Sequence, residues 1–339
     1  MAAMHIEEFA DAHASDLADL LTESFGTPID AEGLLAALAG LPARDGMTAD
    51  AAGLATGEGS RHLIAREAQG VTARALVWRT GLARPGDVFS DIRAADGERG
   101  REALALVLAD QVSWLALVGG ARLRTTVDDH ERDRHDLLIG AGFREEAHVV
   151  AGERALARTS AIGVPVPAAP TVPPPHGVEL DTYDRIERDG DPQCIRYVQR
   201  ALHALVVATL VDNPGHVEAV PDFDDWRREV FDADAFRAEW LVLAFEADRL
   251  VGLSHAVADG DPDRAYLEYT GVARDIRGRG IAAAMKSRLD RELVADGVRI
   301  LTTEWAESNA PIAHLNARAG YAIVGGHRRL VLDVLAPAS

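Results

Sequence analysis

The stretch 274–289, "RDIRGRGIAAAMKSRL", decides the fold. It sets Gly278 and Gly280 among arginines, directly ahead of an apolar run. Ile281, Met285, Leu289 and Leu293 recur every four residues, which predicts a helix with one apolar stripe. Ala282, Ala283 and Ala284 raise its helix propensity. The glycines stand at the helix mouth, where backbone N–H groups lack partners and the dipole is positive. A diphosphate suits that position. A P-loop is one class that places glycine and charge there, but it needs glycine before its lysine, and Met285 precedes Lys286. A dinucleotide fold is another, since Gly278, Gly280 and Ala283 match G-x-G-x-x-A. There the glycines turn directly off a strand, whereas "ARDIR" separates "YLEYTGV" from Gly278.

The third class accounts for more of the chain. "TGVARDIRGRGIAAAMKSRL", followed by "TTEWAESNAPIAHLNARAGY", resembles the acetyl-CoA-binding core of the GCN5-related N-acetyltransferases (GNAT). The pattern is a strand ending in Val, R-G-x-G-I-[GA] opening a helix, then an Asn-started helix closing before Gly-Tyr. Residues 240 to 335 carry it. The resemblance implies that the cofactor arm lies beside the strand ending at Val272 and Ala273. It also implies that backbone N–H groups around Arg277, Gly278, Arg279, Gly280, Ile281 and Ala282 hold the diphosphate. Glycine lets backbone approach closely, and guanidinium suits phosphate. Asn309 is expected to contact the cofactor arm, to cap its helix, or both.

The implied reaction is transfer of acetyl from acetyl-CoA to a primary amine of a small molecule, by direct attack on the thioester and without a metal. An amine with a pKa near 10 must lose a proton first, so a base is needed. Glu268 is the first choice, with Glu304 and His255 as rivals on other predicted strands. A backbone N–H near Val272 is expected to receive the oxyanion. The family's usual acid is a tyrosine shortly before the Gly-Phe pair. Asn316 stands there instead, and it cannot give up a proton. Tyr321 aligns with the core Phe of that pair and reads as structural. A mycothiol-synthase-like acetylation of a cysteinyl or aminosugar amine, and a non-catalytic acyl-CoA-binding protein, are the alternatives.

Outward from this core, "IGVPVPAAPTVPPPHG" (162–177) is a proline-rich connector between halves of similar length. Arg99-Gly100-Arg101 and Arg277-Gly278-Arg279 share an offset of 178 (277 less 99), as do Gly142-Phe143 and Gly320-Tyr321 (320 less 142). The expected architecture is α/β (α+β): two tandem GNAT-like domains, 1–161 and 178–339, each a mixed, mostly antiparallel sheet flanked by helices. The second is expected to be catalytic. At the same offset, Gly280 becomes Glu102, Ala282 Leu104, Asn309 Glu131 and Asn316 Leu138. A carboxylate at the diphosphate position repels it, so the first domain is expected to be a degenerate, non-catalytic copy.

The formal net charge of −19 opposes nucleic-acid or anionic-membrane partners and leaves room for a cationic amine. No apolar run approaches the roughly 20 residues of a membrane span. "MAAMHIEEFADAH" lacks the regions of a signal peptide, and a lone Cys194, expected to be buried, fits a reducing compartment. A cytoplasmic protein is expected, with a homo-oligomer left open. Asp222 in "DFDDW" is expected to cap a helix.

Overall fold

The computed structural model describes residues 4–42, 46–159, 165–167, 171–212 and 220–334. They form two units, each with its own apolar core. The first opens with β1 (His5–Glu8), α1 (Ala14–Phe25) and α2 (Ala31–Leu38), then a short ribbon of β2 (Thr48–Ala49) and β3 (Ala55–Thr56). β4 (Gly59–Glu67), β5 (Gly70–Arg79) and β6 (Asp87–Ala94) make an antiparallel meander. α3 (Glu98–Leu117) crosses back so that β7 (Arg122–Asp128) lies parallel to β6, and α4 (Arg132–Gly140) follows. The core lies between α3 and this sheet, around Leu104, Val107, Leu115 and Leu123.

The second unit contains β8 (Arg144–Ala155) from Ala147 onward, β9 (Ala157–Thr159), β10 (Pro165–Pro167) and β11 (Val178–Thr182). α5 (Tyr183–Asp189), α6 (Pro192–Leu210) and α7 (Phe223–Phe231) come next. β12 (Leu241–Glu246), β13 (Arg249–Ala258) and β14 (Arg264–Val272) are antiparallel. α8 (Ile281–Ala295) returns the chain to β15 (Ile300–Ala306), parallel to β14, and α9 (Ala310–Arg318) leads into β16 (Ala322–Asp333). The predicted stripe of α8 is buried: Ile281, Met285, Leu289 and Leu293 pack with Val242, Val251 and Leu267 of the sheet. α6 brings Val198, Leu202 and Leu205 to a separate cluster with Leu241, Leu243 and Leu253. Alternate residues of β12 thus serve different layers. Asp222 does cap α7, accepting from the N–H groups of Asp224 and Asp225, both at 3.0 Å.

The boundaries expected from the proline-rich stretch are corrected by the pairing. β8 and β16 are equivalent at the offset of 178 (322 less 144), and they are exchanged. β8 pairs with β15 from Val149 to Ala155, completing the order β8-β15-β14-β13-β12-β11. β16 pairs with β7 from His327 to Asp333, completing β1-β4-β5-β6-β7-β16. Within 162–177 the described residues include the extended β10 and a turn at 176–177, and they belong to the second unit. β10 pairs with β9, and the Val172 N–H donates to Ser287 Oγ at 2.9 Å. Proline marks where helix and ladder stop, and it carries no record of which strand crosses. Cys194 is also corrected: it is exposed, on the first turn of α6, where the buried part of that helix has not yet begun.

Candidate functional site

The site begins where two strands part. β14 and β15 pair from Arg264–Ile300 to Tyr266–Thr302 and then separate, although β14 continues to Val272 and β15 to Ala306. Thr302 and Thr303 close the fork, their hydroxyls donating to the carbonyls of Ala265 (3.2 Å) and Leu267 (2.9 Å). On its other side β14 stays bonded to β13, and the Ala273 N–H donates to Val251 O at 2.9 Å. Strand alternation then aims the Val272 N–H away from β13, into the cleft that β15 has left. Ala273, grouped with Val272 in the sequence, is therefore corrected: its N–H is committed to the sheet.

At the end of β14 a short turn leads into α8. Gly278 and Gly280 take φ values of 78° and 86°, a left-handed conformation that strains any residue with a Cβ. A Cβ placed on either would meet nothing within 4 Å, so the mouth is open. The first intrahelical bond runs from the Ala284 N–H to Gly280 O, leaving the N–H groups of Ile281, Ala282 and Ala283 outside the helical ladder. The Ile281 side chain points into the core. Arg277 Nε donates to Val272 O at 2.9 Å, and its guanidinium pairs with Asp212 at 2.8 Å. Arg274 shares that carboxylate. Hydrogen bonds from Arg274 and then Arg277 hold Asp212 at about 2 against its modest desolvation. Arg279 pairs with Glu246 at 2.6 Å. Both arginines of the motif are thus tied to carboxylates beside the helix mouth.

Glu268 sits on a β-bulge, because the register passes from His255–Tyr269 to Ala256–Leu267 and skips it. Bulges re-aim a side chain, and here Glu268 meets the buried imidazole of His255, Nδ1 to Oε2 at 3.0 Å. That hydrogen bond, opposed by desolvation, holds the Glu268 carboxyl below its ordinary range. The side chain remains half-exposed, so one face is open to solvent. His255 packs against Phe236 and serves as the buried member of the pair. The sequence rated these two as competitors; the fold joins them. Beside them the Tyr269 hydroxyl meets Thr209 Oγ1 at 2.8 Å, and Thr209 donates to Leu205 O. Glu304 is exposed on β15, opposite Ala151. Asn309 caps α9 through a long bond from the Ile312 N–H (3.4 Å). Tyr321 is buried beside Trp305.

Asn316 differs from its expected place in the catalytic set. It is buried, and its Oδ1 accepts from Lys286 Nζ at 2.7 Å. Lys286, Thr209 and Asp212 carry no local signature, since each gains its neighbour only across long sequence separations.

The same fork exists in the first unit. β6 and β7 pair from Asp87–Arg122 to Ser90–Thr125 and then part. Here the cleft is filled. Arg134 Nε donates to Ile92 O at 2.9 Å, and Arg134 also pairs with Glu131 (2.8 Å) and Asp91 (3.4 Å). Arg93 joins both carboxylates, Arg74 pairs with Asp91, and Phe25 covers the Arg93 guanidinium. Burial pushes the Asp91 carboxyl up, but the charges of Arg74, Arg93 and Arg134 reverse this and hold it at about 2. The helix mouth is closed as well. α3 begins at Glu98, whereas the position equivalent to Ile281 is Ala103 (281 less 178), so Arg99 to Glu102 are helical. Gly100 is required for a different reason: a Cβ there would stand 1.6 Å from Ala95 O. Asp91→Asn removes one charge from this buried network and is expected to cost about 3–5 kcal/mol in urea denaturation. Because Asp91 is depressed in the fold, its contribution is complete above about pH 4 and is lost as pH falls toward 2.

Residues 203–321 match the profile of the acetyltransferase (GNAT) family. An acetyltransferase of Sodalis glossinidius (strain morsitans) is 40% identical over 77 residues, 23% of this chain and 49% of that protein; the match therefore spans about half of that relative. A GCN5-related N-acetyltransferase from Sphaerobacter thermophilus superposes with a TM-score of 0.64 at 19% identity, covering 99% of this chain and 97% of its own. A tandem GNAT protein from the clavulanic acid biosynthesis pathway gives 0.59 at 16% identity, covering 99% and 100%. At these identities the structures show a shared fold, and their full coverage makes it the tandem GNAT-like arrangement. No helix among the described residues is long and apolar enough to cross a membrane. A parted parallel pair and a glycine-opened helix mouth, with the profile match over them, make residues 203–321 of this chain a domain of the GNAT acetyltransferase family.

Proposed function

We propose that the second unit transfers an acetyl group from acetyl-CoA to the primary amine of a small molecule, by direct attack. The observation that carries this reading is the open fork between β14 and β15, leading to a helix mouth with free N–H groups. The residues fit the cofactor. Left-handed Gly278 and Gly280 leave the approach clear, the N–H groups of Ile281, Ala282 and Ala283 face an anion, and Arg277 and Arg279 flank it. Acetyl-CoA supplies an acyl group activated as a thioester. The Val272 N–H lies where a carbonyl oxygen gaining charge needs a donor. Glu268, ionised at neutral pH and held by His255, accepts the amine proton as the new C–N bond forms.

The first unit does not share this role. Arg134 occupies its fork and helical Arg99 to Glu102 close its helix mouth, so we assign it to scaffolding.

Calorimetric titration with acetyl-CoA tests both statements. One site per chain is expected. Gly280→Glu is expected to abolish it, because a left-handed residue with a Cβ costs about 1–2 kcal/mol and the new carboxylate repels phosphate. The open surroundings predict little loss of folding. No binding by the intact protein overturns the reading, and two sites overturn the assignment of the first unit.

A further inference from the structure

A cavity of about 380 Å³ lies in the first unit, between α2 and the sheet. That is toward the small end of the roughly 300–1,000 Å³ range of small-molecule sites. Leu35 and Leu38 of α2, Leu41 beyond it and Leu76 of β5 give it apolar walls. Leu34 on the same helix and Ile64 of β4 are buried in one cluster, which fixes the helix on the sheet. The Ser60 hydroxyl donates to Pro42 O at 2.7 Å and ties the chain after α2 to β4. The side chains that fill the fork of this unit, Arg134, Glu131 and Asp91, are not among those lining the cavity.

The polar groups along it share one character. Asp11 is exposed and has no ion-pair partner among the described residues, whereas Glu7 and Glu8 nearby pair with Arg66 and Arg61. Ser60 spends its proton on Pro42, so its oxygen has only lone pairs left to offer. His62 is stacked on Phe9, with ring centroids 4.5 Å apart. Burial, then the charge of Arg74, push its imidazole down to about 3 against the opposing charge of Asp91. At neutral pH the ring is therefore uncharged, does not repel a cation and keeps a nitrogen lone pair. Its Nε2 is buried without a hydrogen-bond partner. No lysine or arginine lines the cavity among the described residues. Carboxylate, hydroxyl oxygen and neutral imidazole can all accept. The complementary ligand donates hydrogen bonds, carries positive charge and presents an apolar body. An ammonium on a small hydrocarbon or aromatic group meets all three conditions.

We propose that this cavity is a second small-molecule site, which binds a hydrophobic amine with its ammonium at Asp11 and its apolar body among Leu35, Leu38 and Leu76. The inference is independent of the acetyl-CoA reading, because every lining residue belongs to the first unit.

Nuclear magnetic resonance of the His62 ring protons in the full chain tests this, with phenethylamine as the probe. The resonances are identified by their loss in His62→Gln. Phenethylamine should shift them saturably. Phenethyl alcohol should bind about fivefold more weakly, the span of one exposed charge pair, and hydrocinnamate more weakly still. Asp11→Asn should bring the amine down to the affinity of the alcohol. Ala39 lines the cavity but is exposed, so Ala39→Trp fills the space without entering the core and should abolish the shifts. Neither side chain is buried, and the urea midpoint should stay unchanged in both variants. Shifts that survive Ala39→Trp, or an amine and a carboxylate that bind equally, overturn the site. So does a titration in which no probe moves the His62 resonances. None of these outcomes bears on acetyl-CoA binding by the second unit, which calorimetry reads separately.

Discussion

A chain cut to residues 178–339 should fail to fold, even though it holds the whole glycine motif and the predicted catalytic domain. The sheet of the second unit needs β8, which pairs along the length of β15. Val149, Val150 and Leu156 are all but fully buried, and at about 1.5–3 kcal/mol for each such side chain their loss is on the order of 5–9 kcal/mol. Whole domains are stable by only about 5–15 kcal/mol. Removing Arg154 adds to the loss, since Asp290 is left buried without its partner. A cut at residue 146, which keeps β8 from Ala147 onward, should preserve more of the second unit's structure. Circular dichroism and urea titration of the two fragments separate these cases. A cooperative, native-like transition for 178–339 alone would show that the exchanged strand is dispensable.

Glu268→Gln should lower kcat by about 10²–10⁴-fold, the usual span for a general base, and leave acetyl-CoA affinity unchanged. The amide keeps the shape of the carboxylate and can still meet His255, so folding should survive. The sign of the pH effect follows from the His255 bond. That bond favours ionised Glu268, so the base stays charged well into acid and its activity falls only as pH drops through its lowered value. His255→Ala removes the bond and should move the acid limb of kcat/KM upward, with a smaller loss at pH 8 than Glu268→Gln. Steady-state rates from pH 4 to 9, with any amine found to turn over, give the answer. An unchanged kcat for Glu268→Gln would pass the role to Glu304 or to water.

What could be read from the residues was local. The four-residue stripe of α8, the glycines at 278 and 280 and the Asn309 cap all depend on neighbours a few positions away, where sequence spacing and spatial spacing agree, and the offset of 178 only compares two such local patterns. The filled cleft of the first unit was half legible: Glu102 and Glu131 marked lost function, but the sequence did not show Arg134 lying across the fork. The tertiary structure decided three things. It exchanged β8 and β16, because a strand's partner is chosen by hydrogen bonding and by the apolar face it completes, and two equivalent strands offer the same pattern. It joined Glu268 to His255 through a bulge, which no alternation of apolar residues announces. And it set Lys286 against Asn316, 30 positions away, in a core where neither would be expected alone. Sequence fixes what each short segment prefers; only packing fixes which distant groups must share a dry interior and compensate one another there.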